Sequence, residues 1–342
     1  MQEIIINTTE KQNSKIITGI DILANPDLLN SFIAGRNTVI ISNTKVYELY
    51  KDVFKSYNKI IIPDGEQEKN LNRIEWILNK FVELGIDKKS IIIGFGGGVI
   101  CDIAGFAASI YMRGAKFGFI ASTLLAQVDA AIGGKNGVNL DKHKNYIGVI
   151  NQPEFVLCDV KLLETLEHDE FKSGLAEVIK YAVISDKELF DILINNKEKI
   201  IDVREPELMH EIVKKSIQIK HKIIEKDPKD NFYRHILNFG HSFGHAIEIN
   251  SNLKHGMSII KGMKIACDIS VKKELLSDAV RNKIQGLFEL YEYDTDIKIT
   301  DKHFDIIKND KKKDKESINF VLIKNIAKPE IVNISFDELK GF

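Results

Sequence analysis

Four short runs rich in β-branched and aromatic residues alternate with helix-patterned segments between positions 37 and 122, and this alternation leaves few architectures open. The runs are NTVIIS (37–42), NKIIIP (58–63), SIIIGF (90–95) and FGFIAS (117–122). Near-continuous apolar character of this kind belongs to strands buried on both faces. Between two of them, NRIEWILNKFVELGI (72–86) keeps its apolar residues on one helical face and closes near Gly85. Strand, helix, strand in this order predicts an α/β fold with a parallel sheet covered on both sides. After about Leu166 the texture changes. EFKSGLAEVIKYAVIS, ELMHEIVKKSIQIKHKIIEKD, ILNFGHSFGHAIEI and GMKIACDISVKKELLS all carry apolar residues at helical spacing, and a convincing strand returns only with INFVLI (318–323). At 342 residues the chain exceeds one ordinary core. The expected division is an α/β domain over 1–168 and a mainly helical domain over 169–342.

Charge narrows the partners. With 48 basic against 49 acidic residues the chain lacks the positive field that nucleic acid or an anionic membrane demands, so small molecules are the expected partners. Cys101, Cys158 and Cys267 are scattered and form no CxxC pair, which argues against a disulfide framework or a thiolate zinc site and fits a reducing cytoplasm. MQEIIINTTEKQNSKIITG lacks the basic-then-apolar order of a targeting segment, and the longest apolar stretch, 99–112, is interrupted by Asp102. The one dense charge run is KNDKKKDKE (308–316).

Four stretches have residues suited to chemistry. In GFGGGVICD (94–102), glycines between a strand and a helix let backbone approach a pyrophosphate at a helix N-terminus; a tight strand-to-helix turn explains them too, and Asp102 reads equally as a dipole partner. In STLLAQVDAAIGGKNGVN (122–139) and the following KHKN, Lys135 and Lys144 suit phosphate or carboxylate oxygens, or are solvated loop charges. Asp129 falls in an apolar helical segment, where an ionised group needs a partner or a ligand. In GLAEVIK (174–180), Glu177 and Lys180 share a helix face, as a surface ion pair or with Glu177 as a metal ligand. In RHILNFGHSFGHAIE (234–248), His241 and His245 project from one face a turn apart, as a metal-binding pair would, with His255 close downstream. The other reading is hydrogen-bonded core histidines.

Taken together, PDGEQEK (63–69), GGGVICDIAGF, YMRG (111–114), STLLAQVDAAIGGKNGVN, KNYIG, NQP, GLAEVIK, RHILNFGHSFGHAIE, the HG at His255 and NDKK (309–312) resemble the 3-dehydroquinate synthase family of the sugar-phosphate cyclases over nearly the whole chain. The resemblance implies a Rossmann-like NAD-binding domain followed by a helical metal-binding domain. It implies zinc (or cobalt) held by Glu177, His241 and His255, which moves His245 from the metal pair suggested by spacing to a substrate-side role. It places Asp64, Gly65, Glu66, Lys69, Gly97, Gly98, Asp102, Ser122, Thr123, Lys135, Lys144 and, more loosely, Thr165 on NAD-binding segments. Asp129, Lys135, Lys144, Asn145, Lys180, Lys220, Arg234, Asn238 and His245 fall on substrate-binding or catalytic positions, with Lys311 or Lys312 closing over the substrate.

The implied reaction converts 3-deoxy-D-arabino-heptulosonate 7-phosphate to 3-dehydroquinate and phosphate, with NAD reduced and reoxidised in each cycle, in a cytoplasmic homodimer. The chain departs from the family pattern in four places. Ser122 opens STLL, Cys101 precedes Asp102 where glycine is common, and Ala130 follows Asp129 where serine is usual. Met257 replaces the glutamate of HGE beside His255, which implies a less well oriented ligand. A sister cyclase acting on another sugar phosphate, a metal-dependent polyol dehydrogenase and a non-enzymatic binding descendant are the alternatives.

Overall fold

The computed structural model describes residues 1–6, 14–141, 143–202, 205–227, 230–310 and 316–342. By internal contacts the chain divides into two units, Met1–Leu166 with Met209–His221, and Glu167–Leu208 with Lys222–Phe342. The sequence places the division near 168; in the structure the middle of the Pro206–Lys226 helix is grouped with the first unit as well.

The first unit is built on a seven-stranded sheet in the order β1-β2-β9-β6-β5-β3-β4. Its strands are β1 (Gln2–Ile6), β2 (Ser14–Gly19), β3 (Thr38–Asn43), β4 (Asn58–Ile62), β5 (Ile91–Gly96), β6 (Lys116–Ala121) and β9 (Phe155–Asp159). All neighbours run parallel except the edge pair β1–β2, so the sheet is not wholly parallel. Every residue of β5 and β9 is buried, as strands covered on both faces require. The Leu71–Glu83 helix starts where the Asn70 side chain accepts from the Arg73 N–H. It buries Ile74, Ile77 and Phe81 and ends beside Gly85, whose φ is +62°. Two further strands, β7 (Lys135–Leu140) and β8 (His143–Ile150), form a separate antiparallel hairpin. It occupies the glycine- and lysine-rich stretch that reads as loop in the sequence.

The second unit is mainly helical, with one hairpin of β10 (Ser317–Asn325) and β11 (Lys328–Ser335). Three helices matter for chemistry: His168–Ser185, His241–Asn250 and His255–Lys272. The continuous helix expected over 236–249 is instead a 3₁₀ turn, Tyr233–Asn238, then a break at Gly240, whose φ is +80°. Gly256 and Gly262 set how closely the His255–Lys272 helix approaches its neighbours. A Cβ at Gly256 would lie 2.3 Å from the Ser173 carbonyl oxygen, and one at Gly262 would lie 1.9 Å from that of Gly240. Backbone therefore meets backbone at both places, and the Ser173 hydroxyl accepts from the Gly256 N–H at 3.0 Å. This contact brings the first residue of one helix beside the middle of another.

Candidate functional site

That approach sets His255 beside Glu177. Glu177 Oε1 lies 3.6 Å from His241 Nε2 and 3.6 Å from His255 Nε2, and the three donor atoms fall within 4.8 Å of one another. One carboxylate and two imidazoles in this arrangement suit a divalent ion of the zinc class, with room in its coordination for a further ligand. Glu177 is fully buried and its Oε2 pairs with Lys180, only 2 % exposed. The spacing left open a surface ion pair or a metal-ligating Glu177; with Glu177 and Lys180 both buried in the His168–Ser185 helix, the pair is an interior one.

Each imidazole has its other nitrogen engaged. His241 Nδ1 lies 3.1 Å from the Phe239 carbonyl and His255 Nδ1 lies 3.2 Å from Glu248 Oε2. An N–H donated to each acceptor leaves the Nε2 lone pair directed at the Glu177 side. Burial, reinforced by the Lys180 charge, holds His241 well below the usual histidine range. For His255 burial pulls the same way, but the carboxylates of Glu177 and Glu248 outweigh it and push the value up to about 9. Burial thus favours the neutral form of His241, while the two carboxylates favour a protonated His255, whose Nε2 proton a cation bound there would have to displace. His245 is exposed, its ring centroid 5.2 Å from that of His241, and it groups with Glu248 and His255 rather than with Glu177.

Arg234 is also in this unit. It is 3 % exposed, and among the described residues its Nη1 has no hydrogen-bond partner. Its backbone N–H donates to Asp227 Oδ2 at 3.0 Å, alongside the N–H groups of Asn231 and Phe232. Those donors hold the Asp227 carboxyl down at about 2. Asn238 is exposed at the end of the same 3₁₀ turn. Lys311 and Lys312 lie outside the described residues.

In the first unit, Lys69 is 5 % exposed and donates to Asp102 Oδ2 and Asn145 Oδ1. Burial pushes the Asp102 carboxyl up to about 6 in spite of that lysine. Asp102 is in the second turn of the Gly98–Ile110 helix and pairs with a side chain, so the dipole role offered by the sequence is not its main one. The 63–69 segment is tied to the β7–β8 hairpin. Asn139 Nδ2 donates to Glu66 Oε1 at 2.9 Å, and its N–H to the Lys69 carbonyl at 2.9 Å. Gly65 has φ +114°, and Asp64 accepts from the Lys45 N–H. Lys135 and Lys144 are exposed on the hairpin. Lys220 donates to both the carbonyl (2.7 Å) and Oδ1 (2.8 Å) of Asp129, which sits in a π-helical turn, Ala126–Ala130. Thr165 accepts from the Tyr50 hydroxyl at 2.7 Å and donates to the Leu162 carbonyl.

The Gly98–Ile110 helix starts at Gly97 without a side-chain cap. A Cβ at Gly97 would press on Thr123 at 2.9 Å, and one at Gly98 on Ala130 at 3.1 Å. Ser122 Oγ is buried and, among the described residues, has no hydrogen-bond partner. Uncapped helix N–H groups and an unengaged hydroxyl beside them suit a pyrophosphate. Cys101 is accommodated inside, its Sγ 3.9 Å from the Gly96 carbonyl. Sequence reasoning missed Glu248, Asp227 and Asn139; for Glu248 the signal was its spacing, two turns after His241 on the same helix.

Comparison with known proteins bears on this arrangement. The family model for the N-terminal region of 3-dehydroquinate synthase matches residues 59–173, and that for its C-terminal region matches 174–313. A 3-dehydroquinate synthase of Thermoanaerobacter pseudethanolicus (strain ATCC 33223 / 39E) is 38% identical over 326 residues, 92% of this chain and 91% of the relative. The chain belongs to the 3-dehydroquinate synthase family. Its fold is also that of two solved cyclases. A 2-epi-5-epi-valiolone synthase from Streptomyces hygroscopicus subsp. jinggangensis 5008, with NAD+ and Zn2+ bound, superposes with TM-score 0.89 at 23% identity over 98% of this chain and 97% of that one. A 2-deoxy-scyllo-inosose synthase complexed with carbaglucose-6-phosphate, NAD+ and Co2+ gives 0.86 at 22% identity over 99% and 98%. The α/β unit followed by a helical unit is therefore a fold that this chain shares with both. No helix among the described residues is long and apolar enough to cross a membrane.

Proposed function

We propose that this chain is an NAD- and metal-dependent 3-dehydroquinate synthase, converting 3-deoxy-D-arabino-heptulosonate 7-phosphate to 3-dehydroquinate with release of phosphate. The observation that carries the reading is the Glu177–His241–His255 cluster, in a chain matched by both family models. When bound, NAD takes and returns a hydride at one substrate carbon, and the metal polarises the hydroxyl there.

The chain's own residues do the rest. Glu177, His241 and His255 hold the metal. Gly97, Gly98, Ser122 and Thr123 bind the NAD pyrophosphate, and Asp64, Gly65, Glu66, Lys69, Asp102 and, more peripherally, Thr165 bind the rest of the dinucleotide. Lys180 screens the buried Glu177 charge and donates to substrate oxygen. Lys135, Lys144 and Arg234 hold the anionic groups of the substrate, with Asn145, Asn238 and the Asp129–Lys220 pair fixing its orientation and Lys312 adding a further cation. Exposed His245 accepts and returns a proton through its ring nitrogen.

Purified protein given the heptulosonate phosphate, zinc and a catalytic amount of NAD is expected to release phosphate and dehydroquinate in equal amounts. Phosphate release only from a different sugar phosphate would assign the chain to a sister cyclase. The homodimer implied by the resemblance and the cytoplasmic location suggested by the scattered cysteines belong to the same proposal. Light scattering tests the first and cell fractionation the second.

A further inference from the structure

His255 occupies an exposed start for a ligand. It is the first residue of its helix, the preceding Lys254 supplies no side-chain cap, and its side chain is 28% exposed. An imidazole there has little of its own helix to fix its rotation. Yet its Nε2 lies at the same 3.6 Å from Glu177 Oε1 as that of His241, which is gripped by a backbone carbonyl. The group that fixes it is on another helix. Glu248 Oε2 sits 3.2 Å from His255 Nδ1, and the Glu248 side chain is only 8% exposed. Glu248 and His241 belong to one helix, two turns apart, so one rigid face carries a ligand and also the acceptor for a ligand it does not contain.

We propose that Glu248 is the positioning residue of the metal centre: its carboxylate holds His255 Nδ1–H and so aims Nε2 at the ion shared with Glu177 and His241. The inference rests on the metal-centre reading above and deepens it. A carboxylate acceptor also makes the imidazole a stronger donor than a carbonyl would. It assigns to Glu248 a task that Met257, two residues beyond His255, has no carboxylate to perform. His245, Glu248 and His255 also offer atoms within 4.8 Å of one another, so the competing role for Glu248 is as a direct ligand of a second ion.

The test is zinc competition against a chelator, with metal counted per chain, on wild-type protein, Glu248→Ala, Glu248→Gln and Glu177→Gln. Wild type is expected to bind one zinc per chain. Glu248→Ala should keep that stoichiometry but lose about 10–100-fold in affinity, and Glu248→Gln, which still offers an acceptor, should lose less. Cobalt-substituted Glu248→Ala should show altered visible absorption, while thermal unfolding of the metal-free variants reports whether the fold is intact. Two zinc ions in wild type, with one lost in Glu248→Ala, would overturn positioning in favour of ligation. Unchanged affinity in a folded Glu248→Ala would overturn it outright while leaving the metal centre standing. No zinc binding by wild type would remove the metal centre and this inference with it.

Discussion

Glu177 combines full burial with three neighbours that compete for its charge: Lys180 on one oxygen and the imidazoles of His241 and His255 on the other. Removing any of the three candidate ligands should therefore abolish tight metal binding. Glu177→Gln, His241→Ala and His255→Ala are expected to retain less than about a hundredth of wild-type zinc affinity by chelator competition, and to be inactive. Met257 is expected to matter less than its position suggests. With His255 Nδ1 engaged by Glu248, a second carboxylate has no vacant N–H to accept from, so Met257→Glu should change zinc affinity by less than about threefold. A tenfold gain in the same competition would instead mean that Glu248 leaves His255 poorly held. Asp227 gives a pH signature. Its folded value, about 2, lies below the unfolded value of about 3.9, so its contribution is complete above that unfolded value and drains away as pH falls towards 2. The difference in melting temperature between wild type and Asp227→Asn should be constant from pH 5 to 8 and shrink below pH 4. At this scale the sequence revealed residue types better than environments. Three-residue spacing put Glu177 and Lys180 on one face, but only packing from other helices shows that the face is interior.

Secondary-structure elements were legible where their composition was unambiguous. β3, β4, β5 and β6 coincide within a residue or two with the four β-branched runs; β3, β5 and β6 are buried almost throughout, as strands covered on both faces require, whereas β4, expected to be buried too, is the sheet's edge strand with Asn58 and Lys59 exposed. The β7–β8 hairpin was not legible. Its glycines and lysines weaken strand character, and Gly137 and Gly148 face each other so closely that a Cβ on either would meet the opposite backbone. The break at Gly240 was hidden by helical patterning on both sides, since periodicity reports apolar placement and not φ. The approach of the His255–Lys272 helix supplies a prediction at this scale. Gly256→Ala puts a methyl against the Ser173 backbone, so it should destabilise the protein by about 1–3 kcal/mol in denaturant titration. It should also weaken zinc binding while every candidate ligand is intact.

At the scale of the whole chain, the change in texture near Leu166 led to an expected division at 168, while the contacts group Met1–Leu166 with Met209–His221, a grouping that nothing in the texture signals. An amphipathic helix shows which face is covered and not by what; here the ties are His210 to Thr18, 2.6 Å apart, and Lys220 to Asp129. A proposed division of labour between units predicts that Glu177→Gln binds NAD as wild type does in a direct titration, having lost only the metal. It also predicts that wild type turns over many substrates per NAD with no build-up of absorbance at 340 nm; NADH formed in proportion to product would mark a dehydrogenase instead. The seam at Gly256 and Ser173 bears on heat tolerance. Where main chain abuts main chain, with the Ser173 hydroxyl the one side-chain group bonded across the seam, few rotamers are there to be populated on warming, so the gap between His255 and Glu177 should resist the gradual loosening expected of contacts padded by leucine or methionine. Metal release on heating should then come late and abruptly, coinciding with cooperative melting of the helices that form the seam.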